Sequence, residues 1–367
     1  MVENSTISAK ILVSYDEPVH ITGMLSQPRR SQTVKVKDVA REAGVAVGTV
    51  SRVLNDHPTV ARELRERVER AMAHLGYEVD VTAQSMRAGR SRLVACAIRD
   101  FDIPRFALFI KEAEAVLREA GYTLLLASTT NRPEVEIALL RAFRRRRVDG
   151  VMMTLSDEEH RDVREALSEA PMPVMLIDRD RIEALDRVTA DHRQGARLAT
   201  SHLLGLGHRR IAMLVGDIKA FPSRSRLEGF RAACSTAGIT PDPRLLRDNV
   251  LSSEDAYRAT ASLMSLANPP TALFVAAMDM LGGCLRALRT MSIAVGDGIS
   301  VVAGSDSDLA ELHTPPITAI EWDLAAMGRH AATMLLERMR GDEIECGRAL
   351  TVPTELIIRG SSRPVAN

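Results

Sequence analysis

Gly48, Thr49, Ser51, Arg52 and Asn55 fall on one stripe of the stretch running from Val36 to Asn55. They are short donors and acceptors, one cation, and a glycine that permits close approach. Such a face can meet base edges and phosphate oxygens, with arginine as a bidentate partner for guanine. The elements that must hold it are legible in the same stretch. Val36, Val39, Ala40 and Ala43 repeat at i, i+3, i+4 and i+7, which is one helical stripe. Gly44 ends that helix. After Val45 a second apolar pattern runs through Val47, Val50, Val53 and Leu54. Two short helices around a glycine-containing turn make a helix-turn-helix, whose second helix enters the major groove. A plain helical hairpin within a bundle is the competing reading.

A second constellation, Asp178, Asp191 and His192, invites a catalytic reading. The chain carries no GxSxG, GxxxxGK[ST] or HExxH to support it. Its nearest glycine pattern, Gly205-Leu206-Gly207, ends a helix instead of opening one, and no enzyme is expected. No cofactor is expected either. The four cysteines, Cys96, Cys234, Cys284 and Cys346, are far apart with no CxxC, so neither a disulfide framework nor a zinc site is expected. The N-terminus lacks a basic segment followed by an apolar core, and no apolar run reaches the ~20 residues of a membrane span. A reducing cytoplasmic (nucleoid-associated) setting without membrane contact follows as an expectation.

At 367 residues, 46% hydrophobic and 26% charged, the chain is an ordinary globular composition long enough for two or three domains. Its 48 basic and 48 acidic residues cancel, so global charge is silent about nucleic acid. Residues 34–92 carry eleven Lys/Arg against eight Asp/Glu, a mild basic bias.

In chain order, residues 1–32 read as an N-terminal extension with one isolated strand-like run, Ile11–Tyr15. A disordered extension, an upstream start and an arm touching DNA through Arg29 and Arg30 all remain open. Residues 33–76 hold the two helices and a third running to Leu75, closed by Gly76. Residues 77–92 form a connector with Arg87, Arg90 and Arg92, in which Ala83 to Arg87 could form a turn or two of helix. From Leu93 onward, strands and helices alternate, which means parallel sheets built from βαβ units. Predicted strands are 93–98, 122–127, 149–154, 173–178, 210–215, 271–276 and 299–304. Two series imply two lobes, with ligands bound beyond the carboxyl ends of the strands. The arginine run 144–147 sits at a helix C-terminus, where the dipole favours cations.

The chain resembles the lactose/galactose repressor (LacI/GalR) family of bacterial transcriptional regulators from about Val34 to Arg359. The resemblance is carried by KDVAREAGVAVGTVSRVLN, HLGYEVD, LIDR, HRQGARLATSHLLGLGHRRIAMLVG, RSRLEGFRAA and SVVAGSDS. It implies an all-α helix-turn-helix headpiece and a two-lobed α/β core (93–367) of periplasmic-binding-protein type. Lobe 1 is expected at about 93–192 and 322–351, lobe 2 at 193–321 and 352–367. The implied function is a repressor that binds a pseudo-palindromic operator as a homodimer. A small-molecule effector, a sugar, sugar acid or polyol, would control it from the cleft. A solute-binding protein or an enzyme on the same core is the alternative.

Residue by residue, the resemblance puts Val47, Gly48 and Arg52 on base-reading positions and Thr49 and Ser51 on phosphate and groove contacts. Lys35, Asn55 and Tyr77 fall near the backbone. Asp80–Arg87 matches a hinge helix, with Ala83 at its contact point and Met86 where a leucine usually wedges into the minor groove. In the core, Arg226 matches an effector-binding arginine, Asp306 the carboxylate facing it, and Asp279 a pocket rim. Leu251 and Phe101 join this set, with Phe106 and Trp322 as further pocket candidates. The pattern departs at Lys35 and Ala61, where capping Thr and Ser are usual (Thr33 and Thr59 being substitutes), and at Val79-Asp80, usually Pro-Asn. Leu251 replaces a stacking aromatic and Met278 a common Asn. Ala220 stands where purine-binding members carry arginine, which argues against a purine effector.

Overall fold

The computed structural model describes residues 34–54, 59–77, 90–101, 105–277, 279–341 and 346–365. The isolated strand at Ile11–Tyr15, the arginines Arg29 and Arg30, and the hinge Asp80–Arg87 lie outside them. So do Thr33, Asn55, Val79, Ala83, Met86 and Met278. The chain divides into two compact units, Met1–Val81 and Thr82–Asn367.

The described residues of the first unit form three helices: α1 (Val36–Glu42), α2 (Val47–Leu54) and α3 (Arg62–Leu75). Its core is small, built from Val39, Ala40, Ala43, Val50, Val53, Val68 and Ala71. Gly44 and Gly76 both take positive φ, as residues just past a helix end commonly do. Lys35 and Ala61 offer no side-chain cap. At α1 the Asp38 carboxylate compensates by accepting the Lys35 N–H at 3.0 Å. The guanidinium of Arg67 on α3 donates to Gly44 O, fastening the turn between the first two helices.

The second unit is two α/β lobes. Lobe 1 has a six-stranded parallel sheet ordered β2-β1-β3-β4-β5-β11: Leu93–Ile98, Thr123–Ser128, Gly150–Met153, Val174–Ile177 and Asp186–Ala190 (β1–β5), with Ala349–Val352 as β11. Its helices are α4 (Phe106–Glu119), α5 (Pro133–Arg145), α6 (Arg161–Ser168) and α12 (Leu324–Arg340). Lobe 2 has the order β7-β6-β8-β9-β10-β12: Ile211–Leu214 (β6), Leu246–Arg247 (β7), Ala272–Val275 (β8), Ser300–Ala303 (β9), Thr318–Glu321 (β10) and Glu355–Ile357 (β12). Its helices are α7 (His192–Gly205), α8 (Phe221–Thr236), α9 (Ser253–Met264), α10 (Leu281–Thr290) and α11 (Asp308–Leu312). Among the described strands, β12 alone breaks the parallel rule, pairing antiparallel with β10.

Both faces of each sheet are covered, so the central strands are apolar throughout and not alternating. In β1, Val94, Cys96 and Ile98 face one cluster while Ala95 and Ala97 face another. β6 and β8 divide in the same way. Two glycines let helices approach closely. A Cβ on Gly229 of α8 would stand 2.1 Å from Arg193 O at the start of α7, and one on Gly328 of α12 would stand 2.3 Å from Phe109 O of α4.

The chain passes between lobes three times: at Asp191 after β5, at Trp322-Asp323 after β10 and at Pro353-Thr354 after β11. Two of these crossings also start helices. Asp191 caps α7 by accepting Gln194 N–H at 2.9 Å, and Asp323 caps α12 through Ala326 N–H at 2.7 Å. Thr354 Oγ1 donates to Asp191 O, tying the third crossing to the first.

Candidate nucleic-acid interface and ligand cleft

In the first unit, α2 buries Val50 and Val53 and turns Val47, Gly48 and Arg52 outward. Val47 reads as part of the apolar stripe in the sequence, but it is 50% exposed because it opens the helix on the side away from the core. Gly48 has nothing within 4 Å of where a Cβ would be, so the surface there is open. Thr49 and Ser51 are half-buried at the flanks, and Arg52 is exposed with no hydrogen bond to a described residue. Lys35 is exposed before α1, while Tyr77 packs partly against the unit's core after α3. The result is a shallow apolar and glycine step beside a free fork of donors.

In the second unit, Arg226 lies on α8 and is 6% exposed. Its guanidinium sits 5.8 Å from the centroid of the Trp322 ring and makes no hydrogen bond among the described residues. Burial pulls its pKa down to about 10, against the opposing pull of Asp178 and Asp279. Those two carboxylates are each half committed. Asp178 Oδ1 accepts from Ala190 N–H at 3.0 Å and from His192 Nε2 at 3.0 Å, leaving Oδ2 without a described partner. Asp279 Oδ2 accepts from Arg99 of lobe 1 at 2.9 Å, leaving Oδ1.

Burial pushes the Asp178 carboxyl up, but His192 and the Ala190 N–H outweigh it and hold it below the usual carboxylate range. Burial lowers the His192 pKa, so the ring is neutral near pH 7. A carboxylate only accepts, so Nε2 carries the proton. His192 also packs edge-on against Trp322 (5.4 Å) and Phe221 (5.8 Å). Trp322 is buried with its Nε1–H unpaired. One cation, two half-free carboxylates and an aromatic wall therefore meet beyond the carboxyl ends of β4, β8 and β10.

The described hydrogen-bond partner of the Asp306 carboxylate on another element is Arg359, not Arg226. The two form a two-armed ion pair, at 2.6 and 2.7 Å, which outweighs burial and keeps the Asp306 pKa low. Arg359 follows β12, whose antiparallel pairing returns the chain beside β10 and within reach of the turn after β9. Phe101, 51% exposed, follows β1, and Leu251, 50% exposed, follows β7. Phe106 belongs to the core, stacked on Phe109 at 4.9 Å. Ala220 precedes α8 without capping it. Asp191, imagined beside Asp178 and His192 as a catalytic residue, is engaged as a helix cap. The pairing of Asp178 with His192 depends on Asp178 taking a positive φ of 50°, which the sequence could signal only through an Asp placed at a strand end.

Among the described residues no helix is long and apolar enough to cross a membrane, and no group of acidic, His or Cys side chains could hold a metal. Comparison with known proteins matches residues 35–80 to bacterial regulatory proteins, lacI family, and residues 200–362 to a periplasmic binding protein-like domain. The chain is 30% identical over 335 residues to the HTH-type transcriptional repressor PurR of Haemophilus influenzae, covering 90% of this chain and 99% of that one. The lac repressor dimer bound to operator and the anti-inducer ONPF superposes with a TM-score of 0.81 at 26% identity, over 90% of this chain and 100% of the other. The transcriptional regulator CelR in complex with cellobiose gives 0.68 at 30% identity, over 89% and 99%. These relatives are regulators, not enzymes. The chain belongs to the lacI family of bacterial regulatory proteins and is a DNA-binding transcriptional repressor.

Proposed function

We propose that the protein represses transcription as a homodimer on a pseudo-palindromic operator, and that a neutral polyhydroxylated ligand, a sugar or polyol, controls it from the interlobe cleft. The observation that carries the ligand class is Arg226, a buried cation without a hydrogen-bond partner among the described residues, near two carboxylates that each keep one oxygen without a described partner. Vicinal hydroxyls are donors and acceptors at once, so they satisfy the guanidinium and both free oxygens together. A sugar acid would serve Arg226 but set its own charge against Asp178 and Asp279. The cellobiose complex of a relative accords with this reading. The exposed Phe101 and Leu251 supply apolar rims.

On DNA, Arg52 is the base-reading residue, Val47 and Gly48 follow groove shape, and Thr49 and Ser51 touch the backbone with Lys35, Asn55 and Tyr77. Ala83 and the wedge Met86 belong to a hinge at 80–87 that forms on the operator. Ligand changes DNA affinity by the same factor by which DNA changes ligand affinity.

The test is a thermal-shift screen of the full-length chain against neutral sugars, polyols and sugar acids, followed by footprinting of selected DNA with each hit. A ligand at 100 times its Kd stabilises by about 2.7 kcal/mol. Neutral hits that change a two-fold symmetric footprint support the proposal. Hits restricted to sugar acids overturn the ligand class, and a footprint without two-fold symmetry overturns the dimer.

A further inference from the structure

Two loops of lobe 1 reach across to the start of α8. The loop after β3 presents Asp157, whose Oδ2 accepts from Lys219 Nζ at 3.2 Å. The loop after β4 presents Asp180, whose Oδ1 accepts from Arg224 Nη2 at 2.5 Å. Both cations belong to lobe 2 and precede Arg226 by only a few residues. Surface ion pairs are ordinarily weak because two long side chains must be ordered to make them. Here the order is largely in place beforehand.

On the lobe 1 side, buried groups fix both loops. Glu136 accepts the Ser156 N–H at 2.6 Å, immediately before Asp157. Glu158, immediately after it, is 1% exposed and accepts the N–H groups of Asp180 and Arg181 at 2.8 and 2.9 Å, so one carboxylate oxygen binds the two loops together. Arg179, 6% exposed, donates to Leu155 O at 2.6 Å and closes the same join. On the lobe 2 side, Lys219 N–H donates to Asp217 and Arg224 donates to Lys219 O at 3.0 Å, so the two cations are also set as a pair.

We propose that Asp157–Lys219 and Asp180–Arg224 form a two-pronged electrostatic latch that holds the lobes together at this rim, with Glu158 as the residue that positions both prongs. The proposal deepens the cleft reading and rests on it, since the latch acts on the helix that carries Arg226. A ligand that prefers the latched arrangement binds more tightly when the latch is intact, because less of its binding free energy goes into closing the lobes. Exposed prongs are screened by salt, so the latch makes the closed population depend on ionic strength.

The experiment needs no ligand. Spin labels on Ser168→Cys and Ser262→Cys in a Cys346→Ser background, both exposed positions on different lobes, report the interlobe distance in the full-length chain diluted with unlabelled protein. The unaltered latch should give a distribution that lengthens from about 20 mM to 500 mM salt, across which the Debye length falls severalfold. Lys219→Gln with Arg224→Gln should raise the open fraction about three- to tenfold at low salt and remove most of the salt dependence. Glu158→Ala should do the same alone, and add little in the Lys219→Gln/Arg224→Gln background. An unchanged distribution in the double variant overturns the latch, and an additive effect of Glu158→Ala removes that residue from it. Because the readout is taken without ligand, its failure leaves the cleft reading standing, and failure of the ligand screen leaves this measurement intact.

Discussion

Replacing Arg226 with methionine should stabilise the unliganded protein. The guanidinium is 6% exposed, and burial pulls its pKa well below the usual arginine range, down to about 10. At about 1.4 kcal/mol for each tenfold change, the fold spends about 3 kcal/mol holding this charge in place. Methionine keeps the apolar stem and the helix propensity, removes the charge, and gives up the contact with Trp322, worth about 1 kcal/mol. A net gain of about 2 kcal/mol remains, which is roughly 4 °C or more in the melting temperature of a core of this size. The assay is thermal and urea unfolding of the unliganded full-length variant beside Arg226→Lys, which retains a cation and should show no such gain. The same Arg226→Met protein should lose its response to every ligand that shifts the parent. A lower melting temperature with unchanged circular dichroism would refute the reasoning, since it would mean the fold already compensates the charge and does not reserve it for a ligand.

Arg52→Ala should weaken the cognate site by about 1–3 kcal/mol while sparing random DNA, measured by competition binding; equal losses would reduce Arg52 to a phosphate contact. Asp186 is buried under Arg338 and Arg348, and although burial opposes it, these partners bring its pKa to about 2. Because that value is depressed, the roughly 2 kcal/mol it contributes is present above about pH 4 and lost as pH falls towards 2. Urea titrations from pH 7 downward should show that acid limb, and Asp186→Asn should flatten it. Gly229→Ala should force α8 from α7 and destabilise by about 2 kcal/mol or more, with loss of ligand response, whereas a neutral result would show that the helices can separate at no cost.

Most of the strands that could be read from sequence are buried on both faces, such as LVACAI and TALFVA, where apolar character alone marks them; the edge strand β2 is only partly buried and is legible from its leucine run. The missed strands β5, β7, β10, β11 and β12 are short and mixed. Thr189 and Thr351 bond across β5 and β11, and Glu321 and Glu355 sit opposite each other at the end of the β10–β12 pair. Their places are set by where the chain crosses between lobes, which no local period records. Arg226 and Asp279 are singled out only through the family resemblance, since neither an arginine nor an aspartate carries a local signal of a ligand. The partner of Asp306 could not be placed from sequence, because Arg359 lies 53 residues further on and reaches it only through the antiparallel return of β12. Asp178 and His192 lie 14 residues apart and meet through a backbone turn at Asp178, a detail of φ and not of residue type.

Each sheet takes its outermost strand from the far end of the chain, Ala349–Val352 for one lobe and Glu355–Ile357 for the other. During synthesis, the three-helix unit with its own core leaves the ribosome more than 250 residues before either sheet is complete. Until then β5 and β10 each present a bare edge, an invitation to pairing with another chain. A chain interrupted anywhere in between carries the three-helix unit without a completed core sheet. The order of the elements therefore makes the closed two-lobed core, not the three-helix unit, the last part of the protein to be completed.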